Sequence, residues 1–200
     1  LASDNEAAIL NHYDPQYDRA LAAYDVRHTL SSSWIYELPL GRGTKLGGWM
    51  VNGIVYWRTG LPFNVTHSQG VVSTGTGNRP NIVGDPYAVD QTIDTWFNPA
   101  AYVRTVDTTG TYGDVGRNTL IGPGQFNIDM SVSKSTKFGK TELELRAEAF
   151  NVLNHAQFGQ PNGTIGNSAV GTITSMLSNP SCALCGTTER QIQLSAKLRF

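Results

Sequence analysis

Three acids and a base crowd one short stretch of the chain: Glu142, Glu144 and Glu148 surround Arg146 in TELELRAEAF. Paired carboxylates are the usual equipment of general acid–base catalysis, and a neighbouring guanidinium holds a carboxylate ionised. Here the charges occupy alternate residues, so an extended backbone puts all four on one side. A polar strand face accounts for them without a reaction. Helix is the competing conformation, because the stretch has high helix propensity. A helix would scatter the charges around its axis, and the strict alternation with Leu and Ala favours the strand.

Other chemistry-bearing residues lack the company that chemistry needs. Gly41-Arg42-Gly43-Thr44-Lys45 suggests a phosphate loop but misses the G-x-x-x-x-G-K-[ST] spacing, and a turn is the better reading. His12, His28, His67 and His155 form no H-E-x-x-H or similar ligand set; His155, in FNVLNHAQFG, suits a hydrogen-bonding role where a strand gives way to a loop. Asp107, Asp114, Arg117 and Asn118 surround Gly-rich turns without an EF-hand pattern. Cys182 and Cys185 make a lone C-x-x-C with no second pair for zinc, so a local surface disulfide is favoured over free thiols. No G-x-S-x-G occurs. The expectation is a protein that is not an enzyme and takes no metal or cofactor.

The bulk numbers narrow the class. With 15 basic and 16 acidic residues the formal charge is −1, which argues against a nucleic-acid partner. Gly is frequent at 21 residues and aromatic residues reach 10 %, a usage that suits strands and turns. No apolar run approaches the roughly 18 residues of a spanning helix. The opening LASDNEAAIL has neither the basic nor the apolar region of a signal peptide, pointing to a processed chain or a piece of a longer one.

Five segments alternate with period two, at about residues 25–38, 48–59, 126–138, 141–153 and 189–200. In the first, Leu30, Trp34 and Tyr36 oppose Arg27, Thr29 and Glu37, with Ile35 as the exception. The second sets Trp49, Val51, Val55 and Trp57 against Met50, Asn52, Ile54, Tyr56 and Arg58, the poorest alternation. The third sets Phe126, Ile128, Met130 and Val132 against Asn127, Asp129, Ser131 and Ser133. The last sets Ile192, Leu194, Ala196, Leu198 and Phe200 against Gln191, Gln193, Ser195, Lys197 and Arg199.

Short and long connections alternate. PLGRGTKLG joins the first pair and Gly139-Lys140 the third and fourth strands, whereas about 60–125 and 154–189 are long loops. Such loops are uncommon in compact soluble domains and are the rule on the outer side of outer-membrane β-barrels. Ten residues at ~3.3 Å rise and a tilt near ~45° cover about 23 Å of the membrane normal, close to the lipid-facing band of ~25 Å. The fold expected is therefore all-β: an antiparallel meander of five long strands, a segment of a large transmembrane-type β-barrel with long loops on one side, occupying residues 1–200 as a single unit. Trp34, Tyr36, Trp49, Trp57 and Phe126 suit interfacial girdles. Arg27, Glu37, Arg58, Glu142, Glu144, Arg146, Glu148, Lys197 and Arg199 are the expected lumen-facing residues. Trp96, Phe97 and Tyr102 either pack the first long loop or contribute to a ligand surface. The competing architecture is a soluble two-sheet sandwich, for instance a carbohydrate binder, in which the same aromatics form the core.

Several stretches, in order, resemble the C-terminal barrel region of Oar-like TonB-dependent outer-membrane receptors: DVRHTLSSSWIYELPLG, GGWMVNGIVYWRTGLPFNV, WFNPAAY, GDVGRNTLIGPGQFNIDMSVSK, RAEAFNVLNHAQFGQP and RQIQLSAKLRF. The last resembles an outer-membrane assembly signal, with Ile192, Leu194, Ala196, Leu198 and Phe200 at its alternate hydrophobic positions. The resemblance implies a barrel of about 22 strands, a plug, a TonB box, uptake of a ligand, and dealings with TonB, the barrel assembly machinery and outer-membrane lipid. Five strands do not close a cylinder, so the remainder of the barrel or further copies of the chain must satisfy the outer edges. The second expectation follows from those edges: a structural protein that self-assembles into an extracellular tube or filament.

Overall fold

The computed structural model describes residues 13–41, 43–44, 46–67, 79–104, 112–177 and 189–200. Among the described residues it is all-β, relieved by single 3₁₀ turns at Pro15–Asp18 and Pro99–Ala101. In chain order the strands are β1 (Thr29–Glu37), β2 (Trp49–Arg58), β3 (Pro62–Phe63), β4 (Thr66–His67), β5 (Asn81–Ile82), β6 (Tyr102–Val103), β7 (Leu120–Ile121), β8 (Gln125–Phe138), β9 (Thr141–Phe150), β10 (Thr164–Ile165) and β11 (Gln191–Arg199). They fall into two compact units.

The first unit, His28–Thr59, Gly124–Gln157 and Met176–Phe200, holds a five-stranded antiparallel sheet in the order β1-β2-β8-β9-β11. The five long strands thus follow one another as a meander, as the periodicity predicts. Phe138 pairs with Thr141 across Gly139-Lys140, and Gly139 supplies the positive φ (64°) that a two-residue hairpin requires. The β1–β2 turn closes through Gly41, whose φ is 59° and whose carbonyl accepts the Thr44 N–H at 3.0 Å. By the antiparallel register, both long connections leave from the end of the sheet opposite these turns.

Strand limits differ from the periodicity at several ends. β1 starts at Thr29, so Arg27 lies in a bend before the strand. β9 stops at Phe150 because Asn151 turns into the left-handed region at φ 50°, a conformation Asn tolerates better than most residues. The Asn151 side chain then closes the turn, donating to the His155 carbonyl and accepting its N–H, both at 2.9 Å.

The second unit, Leu1–Arg27, Gly60–Pro123 and Phe158–Ser175, is built mostly from the two long connections. Among the described residues, three two-residue ladders stitch it: β3 with β7 and β5 with β6 antiparallel, β4 with β10 parallel. The last ladder joins one long connection to the other. Its core comprises Phe63, Val65, Phe97, Ala101, Tyr102, Val115, Leu120 and Ile165. Phe97 is central, with ring centroids 6.0 Å from Phe63 and 5.8 Å from Tyr102. Trp96 packs beside them and donates its indole N–H to the Ile121 carbonyl at 2.9 Å. Of the two roles open to these aromatics, the structure gives Phe97 and Tyr102 to packing.

A buried ion pair ties the segment before β1 into this unit. Arg79 meets the Asp18 carboxylate at 2.6 Å, donates to the Tyr17 carbonyl at 3.0 Å, and lies 3.7 Å from the Tyr17 ring centroid. The Tyr17 hydroxyl donates to the Gly113 carbonyl at 2.6 Å. Burial holds the Tyr17 phenol above its usual range, against the opposing pull of Arg79. Burial likewise pushes Tyr102 up to about 12.

Candidate functional site

Paired residues of an antiparallel ladder project from the same side, so the register assigns every strand residue to a face. One face carries Glu37 on β1; Asn52 and Arg58 on β2; Gln125, Asn127, Asp129, Ser131, Ser133 and Lys137 on β8. It continues with Glu142, Glu144, Arg146 and Glu148 on β9 and Gln193, Ser195, Lys197 and Arg199 on β11. Met50, Ile54, Tyr56, Phe150 and the exception Ile35 share it. The other face carries Leu30, Trp34, Tyr36, Trp49, Val51, Val55, Trp57, Phe126, Ile128, Met130, Val132, Leu143, Leu145, Ile192, Leu194 and Leu198. All the girdle candidates lie on this second face.

Solvent exposure inverts the arrangement of a soluble protein. Along β8, Gln125, Asn127, Asp129, Ser131 and Ser133 are buried, while Phe126, Ile128 and Met130 between them are only half-buried and Val132 is exposed. A soluble sandwich would bury the apolar side chains and hydrate the polar ones. A continuous exposed apolar sheet face is instead what lipid covers in a transmembrane barrel.

Eight of the nine expected lumen residues therefore share one face, and Arg27 precedes the strand. Arg199 pairs with Glu142 at 3.5 Å and Glu144 at 3.1 Å, while Arg146 pairs with Glu148 at 3.0 Å and donates to the Ser131 hydroxyl at 3.4 Å. These pairs are partly solvated, so each contributes at most about 1 kcal/mol; their consequence is a fixed alternation of charge along the face.

A recess on this face is lined by Asn52, Asp129, Ser131, Arg146, Glu148 and Phe150 and measures about 110 Å³. Within it the Asn52 side-chain oxygen and the Arg146 Nε have no hydrogen-bond partner among the described residues. An acceptor and a donor left open in one recess match a small polar group, such as a hydroxyl, that both gives and takes a hydrogen bond.

Periodicity did not single out the polar network at the β8 end of this face. Asp129 accepts from Asn127 and from the Asn151 N–H, both at 2.8 Å. The Gln157 amide bonds both backbone groups of Phe126, accepting its N–H at 3.1 Å and donating to its carbonyl. Gln157 thereby substitutes for the neighbouring strand where β9 has ended. The alternation of Asn127 and Asp129 was visible in sequence; the partner of Asp129, Asn151, 22 residues away, and that of Phe126, Gln157, 31 residues away, were not.

The remaining candidates resolve simply. Asp114 accepts the Ile82 N–H at 2.7 Å and donates its own to Asn81 at 3.0 Å, closing the loop. Ile192, Leu194, Ala196 and Leu198 share the apolar face of β11, with Phe200 beyond its end. Cys182, Cys185, Asp107 and His12 lie outside the described residues. The family model described as outer membrane beta barrel domain matches residues 2–193. No curated protein and no solved structure matches the chain.

Proposed function

We propose, on the premise that this chain belongs to the outer membrane beta barrel domain family, that it forms part of the wall of a TonB-dependent receptor of the Oar-like type. Residence in the outer membrane follows from the family; receptor identity, energy from TonB and uptake of a ligand are the further reading. The observation that supports it is the sorting of side chains by the sheet: a hydrogen-bonded, charge-bearing face opposite an exposed apolar one. In this reading the charged face lines the lumen and the apolar face meets lipid. The long connections, with a packed core of their own, supply surface for a ligand. The resemblance carried by GDVGRNTLIGPGQFNIDMSVSK and RAEAFNVLNHAQFGQP supports the narrower family.

A second reading rests on the sheet edges. Within the described sheet β1 and β11 each have a single neighbour, so their outer N–H and C=O groups need partners. Further strands of one barrel supply them under the first reading, and copies of the chain, building a tube or filament, under the second.

Two measurements separate them. Electron microscopy of the native protein extracted in detergent shows closed, separate barrels under the receptor reading; detergent-independent filaments contradict it. Photo-crosslinking of the full-length protein in cells captures TonB if the receptor reading holds, and a closed barrel that yields no TonB adduct contradicts energised uptake.

A further inference from the structure

The apolar face of the five long strands carries one formally charged side chain among its described residues, Lys134. A lysine facing lipid costs ~2–4 kcal/mol at the bilayer midplane and about 0–1 near an interface. Lys134 sits opposite Trp49, the first residue of β2, at the short-turn end of the sheet. Its ammonium lies 5.7 Å from the Trp49 ring centroid and 3.0 Å from the Thr136 hydroxyl. Trp beside Lys at a strand end is the chemistry of a headgroup boundary.

Beside Lys134 runs a groove of about 330 Å³ lined by Trp49, Val132, Leu145, Ala147 and Leu194, and also by Arg146 and Ser195, a pair that the register assigns to the opposite face. Its floor is the rung Val132–Ala147–Leu194, where the small Ala147 lies between two larger side chains. An apolar furrow with one cation at its headgroup end has the shape and charge of an anionic lipid in reverse.

We propose that Lys134 and this groove bind one anionic glycerophospholipid from the leaflet on the short-turn side. An acyl chain lies along Ala147, and the phosphate meets the Lys134 ammonium beside Trp49. A zwitterionic headgroup brings its own ammonium to the same place and binds less well. The site rests on the apolar face being the lipid-facing one.

Native mass spectrometry of the delipidated full-length protein, titrated with phosphatidylglycerol and phosphatidylethanolamine of matched chains, tests it. The expected result is about fivefold tighter binding of phosphatidylglycerol, the worth of one lysine at an anionic lipid. Lys134→Met abolishes that preference, Lys134→Arg keeps it, and Ala147→Phe weakens both lipids. Heat-modifiable electrophoretic mobility checks that each variant is folded. Equal binding of the two lipids by the unmodified protein, or a preference that survives Lys134→Met, overturns the site alone and needs no unstable variant. Retention of neither lipid overturns the site together with the lipid-facing assignment.

Discussion

Tyr102 and Arg79 are both buried in the loop unit, and they respond oppositely to truncation. The Tyr102 hydroxyl has no hydrogen-bond partner among the described residues, and burial raises its pKa to about 12. In the unfolded chain it ionises near ~10, so its contribution is complete below about pH 10 and falls as the pH climbs from there to about 12. Tyr102→Phe is therefore expected to leave neutral stability within about 1 kcal/mol and to flatten the alkaline decline, as followed by urea unfolding at stepped pH. Arg79→Met, by contrast, strands the Asp18 carboxylate in a buried site and is expected to cost about 3–5 kcal/mol, seen as rapid proteolysis of the segment around residues 13–24. Adding Asp18→Asn should recover much of that loss; no recovery would mean that the pair's charges are not what matters. Of this unit, sequence exposed the aromatics of WFNPAAY and little else. Arg79 and Asp18 stand 61 residues apart, and nothing local in either marks a partner at that distance.

At the scale of elements, the long strands were legible because each repeats its chemistry every second residue over nine or more positions. The ladders β3–β7, β4–β10 and β5–β6 are two residues long, too short for any period to register. The strand with the weakest alternation, β2, owes its irregularity partly to Gly53. A Cβ at Gly53 would overlap the indole of Trp34, its partner on β1. Gly53→Val is accordingly expected to block β1–β2 pairing and abolish the heat-modifiable folded form, and Trp34→Ala in the same chain is expected to restore it. Failure of that rescue would show that Gly53 is needed for something other than room for the ring. Gln157→Leu strips both Phe126 backbone groups of their side-chain partner. Leaving buried backbone groups unpaired costs about 1–3 kcal/mol each, so amide exchange should quicken at the β8 start around Phe126 while the hairpin at Gly139 stays protected.

For the whole molecule, the decisive feature is the inversion along β8: polar side chains buried on one side of the sheet, apolar ones more exposed on the other. The polar face was readable because Glu142, Glu144, Arg146 and Glu148 alternate within a single strand and the register carries them onto the row with Lys197 and Arg199. The recess at Asn52 and Arg146 was not, since it forms only when β2, β8 and β9 lie side by side.

Cysteine accessibility along β9 and β11 tests this inversion most directly. Single cysteines replace residues 142–149 and 191–198 of the full-length protein in native outer membranes, with Cys182 and Cys185 changed to Ser. A period of two is expected: Glu144, Arg146, Glu148, Gln193 and Ser195 positions react with a membrane-impermeant maleimide, while Leu145, Ala147, Ile192 and Leu194 positions react only with a lipid-soluble one. Reaction of both sets with the aqueous reagent, or the opposite alternation, would contradict it.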